Sequence, residues 1–254
     1  TDSPGPEAQT SQRSEIMIDF SISKAMFELF PKLNVFAFQA GGVQGVIPAL
    51  NARTLLTEAI QEVKALYSDT KTLSHSPIIS EWRSAYRVLG VKPSAFRSSI
   101  EALIRRAIAD KPIDNGIPLV NFYNAGALHY QACIGAYDAE KVHNGHIALR
   151  LCDPDRDSFT PLGGKPSEFP LTRKLAVYAL RNEILCWGLN CRDSRTSCLD
   201  KHTDVVLFFA GSVTCGQKAR ARHALETLSQ KLTNVGATVS QLKAANVDQP
   251  YFQF

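Results

Sequence analysis

Ile147-Ala148-Leu149-Arg150-Leu151-Cys152, Phe159-Thr160-Pro161-Leu162, Ala176-Val177-Tyr178-Ala179-Leu180, Ile184-Leu185-Cys186-Trp187 and Val205-Val206-Leu207-Phe208-Phe209-Ala210 follow one another as short apolar runs separated by Gly, Pro, Asn and Asp. Runs this short, bounded by turn formers and rich in β-branched and aromatic residues, read as strands. The chain before Ala132 has a different texture. A strand from Ile16 to Phe20, a short helix around Ala25 to Pro31 and a strand from Leu33 to Phe38 come first. Apolar residues then recur at helical spacing from Ile47 to Tyr67, and a further helix runs from Pro77 to Leu89 before Gly90 and Pro93 break it. Ser98 followed by Glu101 resembles a capping arrangement for a helix reaching about Asp110, and another spans Leu119 to Tyr130. A last helix covers Gln217 to Leu232. Helices and irregularly spaced strands without regular βαβ alternation indicate an α+β fold, and no internal repeat is present.

The 254 residues, 44% of them hydrophobic, are enough to bury a sizeable core. Residues 1–15 are rich in Ser, Pro, Thr, Gln and Glu and lack an apolar signal segment, so a flexible leader is expected, followed by one domain over 16–254. No apolar run approaches the roughly 20 residues of a membrane span, so no membrane partner is expected. The six cysteines show no dense disulfide spacing, which points to reduced thiols and a cytoplasmic location. The formal charge of +4 permits a polyanionic partner without demanding one. Its distribution says more: Arg83, Arg87, Lys92, Arg97, Arg105 and Arg106 crowd a stretch whose only acids are Glu81 and Glu101. That is a candidate phosphate footprint, although a solvated pair of amphipathic helices accounts for it equally well.

Several chemistries are disfavoured by spacing. His143-x-x-His146 and Cys186, Cys191 and Cys198 do not match a zinc finger or ribbon, and no metal is expected. There is no Gly-x-Ser-x-Gly elbow, and Gly163-Gly164-Lys165 lacks a Walker motif before it. No cofactor is called for. The segment Asn190-Cys191-Arg192-Asp193-Ser194-Arg195-Thr196 stands out because dense polar residues at the end of a buried strand often form a site, while an ordinary charged loop explains them as well. His129 and Asp138 bracket an expected turn containing Gly135; alone, a histidine on an apolar helix is more often structural than catalytic.

Taken in order, Ser80-Glu81-Trp82-Arg83-Ser84-Ala85-Tyr86-Arg87, Gly90-Val91-Lys92-Pro93, Arg97-Ser98-Ser99-Ile100-Glu101, Leu119-Val120-Asn121-Phe122-Tyr123-Asn124, Gly135-Ala136-Tyr137-Asp138, Pro161-Leu162-Gly163-Gly164 and Arg192-Asp193-Ser194-Arg195-Thr196 resemble freestanding B3/B4 proteins, relatives of the editing domain of the phenylalanyl-tRNA synthetase β subunit. The resemblance runs from about residue 20 to 232. It implies a three-layer α+β fold with a β-sandwich of unusual topology flanked by helices, and a pocket for the aminoacylated 3′ end of tRNA. In the synthetase that pocket hydrolyses mischarged tyrosine. Here the turn reading His-Ala-Phe-Asp in the synthetase is Gly135-Ala136-Tyr137-Asp138, and the strand of its editing glutamate reads Leu207-Phe208-Phe209-Ala210. Loss of both polar groups departs from tyrosine editing.

The missing editing pair brings in a second family, the fungal arginine-containing cyclodipeptide synthases, which look like B3/B4 proteins turned from hydrolysis to peptide-bond formation. This resemblance implies two partners, arginyl-tRNA and a second charged tRNA, and no DNA. Under it, Asp138 or Asp193 would bind an arginine guanidinium, with Tyr137, Ser194 and Arg195 beside them in the substrate site. His129 would act as general base and Asn124 would orient the ester carbonyl. The basic residues from Arg83 to Arg106 would contact tRNA phosphates. A trans-editing hydrolase and a non-catalytic tRNA-binding module remain the alternatives.

Overall fold

The computed structural model describes residues 17–254, so the expected leader lies outside the described residues. Strand β1 (Ile18–Ile22) leads through helix α1 (Lys24–Leu29) to β2 (Asn34–Gly41) and a short α2 (Val43–Val46). The helical half follows with α3 (Ala52–Leu66), α4 (Thr70–His75), α5 (Pro77–Val88), α6 (Ser99–Ile108) and α7 (Pro118–Tyr130). Then come β3 (Ile134–Asp138), β4 (Gly145–Leu151), β5 (Ser158–Phe159), β6 (Ala176–Leu180), β7 (Glu183–Trp187), β8 (Arg192–Asp193), β9 (Val205–Ser212), α8 (Cys215–Asn234), β10 (Thr238–Val239), β11 (Lys243–Ala245) and β12 (Tyr251–Gln253). The architecture is α+β, as expected.

The strands form two sheets. One is mixed, ordered β12-β1-β4-β6-β7-β5 with β8 on β7; β1 pairs β4, and β5 pairs β7, in parallel. The other is antiparallel throughout, ordered β10-β2-β9-β3 with β11 also on β2. Val35, Ala37, Leu207, Phe209 and Tyr137 turn one face of this sheet toward the first, where they meet Phe20, Ile147, Leu149 and Tyr178. Phe36, Phe38, Val206, Phe208 and Ala210 turn the other face to Leu119 and Phe122 of α7 and to Ala221, Ala224, Leu225 and Leu228 of α8. Sheet, sheet and helices thus make three layers. Burial on both faces explains why β2 and β9 read as continuous apolar runs rather than alternating ones.

Three details depart from the sequence reading. The helix expected from Ile47 to Tyr67 is split: Ile47–Leu50 forms a 3-10 turn led by Pro48, and Asn51 takes a left-handed conformation (φ 48°) before α3 begins. Asparagine tolerates that conformation better than most residues. The run Phe159 to Leu162 pairs as a strand only through Phe159, because Pro161 has no N–H to donate and makes a single bridge to Ser194. Gly135 lies inside strand β3; the turn after α7 is made instead by Gln131, left-handed at φ 50°. Elsewhere the Ser98 cap forms as expected, its hydroxyl accepting from the Glu101 N–H at 3.4 Å.

Candidate functional site

The hairpin β7–β8 builds the centre of the site. Gly188 (φ 70°) and Leu189 (φ 66°) turn the chain in left-handed conformations, and the strands re-pair with Cys186 opposite Asp193 and Trp187 opposite Arg192. Facing pairs in antiparallel strands project to the same side of the sheet. Cys186 and Asp193 therefore both reach a narrow cavity of about 40 Å³ between the two sheets. Tyr178 closes it from the first sheet, Tyr137, Gly135 and Phe209 from the second, and Trp82, Leu189 and Asn190 from its sides.

Asp193 is the only acid lining the cavity, and it has no ion-pair partner among the described residues. Desolvation raises its pKa above the ordinary carboxylate value, more than the Cys186 hydrogen bond and the Arg192 charge lower it. Burial likewise pushes the Cys186 thiol and the Tyr137 and Tyr178 phenols up, so all three are neutral at physiological pH. Asn190 is fixed by the Tyr86 hydroxyl, which donates to its Oδ1 at 2.8 Å. Ser212 also lines the cavity; it is fully buried and its hydroxyl has no partner among the described residues. The cavity can hold a slender group that ends in a cation and offers hydrogen bonds, against mainly apolar walls.

The other residues expected at the site separate from it. The Asp138 carboxylate is buried and already engaged: it accepts from the Thr203 hydroxyl at 2.8 Å and the Glu140 N–H at 3.1 Å, with Lys141 Nζ at 3.4 Å. It anchors the loop after β3 and has no free edge for a guanidinium, which corrects that assignment. His129 is exposed, paired through Nδ1 with Glu62 at 2.6 Å, and lines a different groove between α3, α7 and α8. Asn124 is half-buried on the same helix and does not line the cavity. Neither side chain lines the cavity that Asp193 faces.

Ser194 is buried, its hydroxyl bonded to the Thr160 carbonyl at 3.0 Å and to Thr196 Oγ at 2.9 Å, while the Arg195 guanidinium is exposed. Asn190, from the polar segment that the sequence singled out, also lines the cavity, together with Cys186, which the sequence weighed only as a metal ligand; Tyr178 and Ser212 are delivered by the fold without having been singled out. The last two give a weak signal in the sequence because Tyr178 sits inside, and Ser212 at the end of, an apolar run that reads simply as core.

The basic stretch is largely spoken for. Glu101 is fully buried on α6 and is gripped by Arg83 (2.5 and 2.9 Å) and Arg105 (2.8 Å), with Arg97 at 3.7 Å. Burial works to raise the Glu101 pKa, but the hydrogen bonds from Arg83 and Arg105 outweigh it and hold the carboxyl below its ordinary value. Arg106 donates to the Pro112 carbonyl. Arg87 and Lys92 are exposed and free of side-chain partners among the described residues, so they are the cations available to phosphate.

Among the described residues no group of three His, Cys, Asp or Glu side chains could hold a metal ion, and no helix is long and apolar enough to cross a membrane. No curated protein matches the sequence. Among solved structures similar to it is an N-terminal fragment of the phenylalanyl-tRNA synthetase β-subunit from Pyrococcus horikoshii, with 11% identity and a TM-score of 0.42. That likeness covers 93% of this chain and 52% of the fragment, so the chain spans about half the fragment's length. The B3/4 domain model matches residues 81–246, more than half the chain and all of the hairpin, β3 and β9 that enclose the cavity. The chain therefore belongs to the B3/4 domain family.

Proposed function

We propose that the protein binds aminoacyl-tRNA and joins the aminoacyl groups of two charged tRNAs, one of them arginyl-tRNA, into a cyclic dipeptide at the cavity between the sheets. The tRNA part of this reading rests on family membership and on the series of B3/B4-like motifs. The observation that supports the choice of arginine is Asp193, a half-buried carboxylate with no ion-pair partner among the described residues, facing a narrow, mainly apolar cavity. A planar guanidinium supplies both the missing charge and paired donors.

An aminoacyl ester is already activated. The neutral α-amine of one aminoacyl group attacks the ester carbonyl of the other; the C–N bond forms, the C–O bond to the ribose breaks, and the amine proton passes to the departing ribose oxygen. A second attack, by the amine of the resulting dipeptidyl ester on its own ester carbonyl, closes the ring and frees the second tRNA. Holding amine and carbonyl about 3 Å apart and excluding water account for the acceleration. Trp82, Phe209 and Leu189 make the walls that keep water out.

Incubation with arginyl-tRNA and a mixture of other charged tRNAs, followed by mass spectrometry of the small molecules, tests the reading. A diketopiperazine containing arginine is expected. Free amino acid as the sole acyl product would make the protein a hydrolase, and an unchanged ester pool would leave only tRNA binding.

A further inference from the structure

Two glycines line the cavity, Gly135 and Gly211, and at Gly135 the missing side chain leaves open space. Facing sheets pack about 10 Å apart, a gap that two opposed side chains normally fill. Gly135 stands in β3 with Phe209 beside it on β9, on the face that looks toward Tyr178, Cys186 and Asp193. A Cβ added at Gly135 would meet no atom within 4 Å. Gly211, also on this wall, differs: a Cβ there would come within 3.4 Å of the Tyr178 hydroxyl. The backbone at Gly135 is ordinary extended strand, so nothing in the main chain demands glycine. Its strand neighbours Ile134 and Ala136 are buried, yet Gly135 keeps partial exposure because the cavity opens onto it.

We propose that Gly135 is a specificity-determining residue: by leaving the space before Asp193 empty, it admits a long, unbranched acyl side chain that ends in a cation and would be displaced by any side chain of its own. The proposal rests on the arginine reading above and deepens it. Glycine is a poor strand residue, whereas valine suits a half-buried strand, so conservation of fold gives no reason for glycine here. Filling the space therefore separates a role in recognition from a role in folding.

The test compares wild type, Gly135→Val and Asp193→Asn for binding of arginine methyl ester, with norleucine methyl ester as the neutral probe of similar length, alongside thermal melting and binding of uncharged tRNA. Wild type is expected to prefer the arginine ester. Gly135→Val is expected to bind it about tenfold or more weakly, the scale of a pocket altered by one or two methylenes, while melting no lower and holding tRNA as before. Undiminished ester binding by Gly135→Val would overturn this inference and leave the arginine reading standing. Undiminished preference in Asp193→Asn would instead overturn the arginine reading, and the inference with it.

Discussion

Asp193 faces Cys186 directly across the β7–β8 pair, so the one acid of the cavity has a neutral thiol, and no cation, as its immediate partner. A carboxylate in that position is costly until a positive group arrives. Asp193→Asn should lower kcat/KM for arginyl-tRNA by about ten- to a hundredfold, the worth of a charge-assisted hydrogen bond, with tRNA affinity unchanged. Steady-state kinetics and filter binding on the same preparations give both numbers.

The same residue sets a pH dependence. Its folded pKa is raised by desolvation, so the folded state keeps the proton longer than the unfolded chain does. Stability contributed at this site is thus greatest below the ordinary carboxylate pKa near 3.9 and declines as pH rises through the raised folded value. The proposed binding of arginine should run the other way, because it needs the ionised form, and is expected to fade as pH falls through that value. Asp193→Asn should remove the acid limb of the binding profile and melt no lower than wild type at neutral pH; calorimetry across pH checks both.

Glu101 carries the opposite signature. Replacing it with Gln leaves Arg83 and Arg105 without their shared anion, and breaking a buried ion pair from one side costs about 3–5 kcal/mol. Its folded pKa lies below the ordinary value, so the stability it gives is present above the unfolded carboxylate pKa and is lost as pH falls through the lowered folded one. Urea titration at neutral and at acid pH should show the Glu101→Gln penalty shrinking on acidification.

Periodicity located the helices and the main strands because α3, α5 and α6 each bury one stripe and β2 and β9 are buried on both faces. Of the residues that line the cavity, the sequence singled out Tyr137, Asn190 and Asp193 as candidates for a site. His129 looked catalytic by residue type, but its phase on α7 carries it to the groove with Glu62, and His129→Ala is expected to leave product formation intact. Asp138 looked like a free acid because its partner, Thr203, is distant in sequence. The basic stretch was misleading in the same way: one buried glutamate neutralises arginines from two different helices, and single-sequence charge counting does not pair them.

The cations left over make a prediction about tRNA. Arg87 and Lys92 are exposed and hold no structural partner among the described residues, whereas Arg83 and Arg105 do. Arg87→Ala and Lys92→Ala should each leave the melting temperature unchanged, weaken tRNA binding and reduce the salt slope by about one per phosphate contact. Arg83→Ala and Arg105→Ala should lower the melting temperature first. Equal salt slopes in wild type and the Arg87/Lys92 double variant would place the tRNA elsewhere.

The aromatic segment Tyr251 to Phe254 lies along one edge of the first sheet. Strand β12 pairs with β1, and Phe252 stacks on Phe20 with ring centroids 4.9 Å apart while Phe254 packs edge-on against Phe252. Phe20 in turn contacts Tyr178 and Phe209, two walls of the cavity. Phe252→Ala should therefore cost about 3–5 kcal/mol, the usual range for emptying a buried phenylalanine site. It should also loosen the acyl site, because the cavity's geometry leans on the same aromatic stack. Chemical denaturation gives the first effect; a rise in KM for arginyl-tRNA at a temperature where the variant is fully folded gives the second. A normal KM in the folded variant would show that the segment supports the fold without supporting the site.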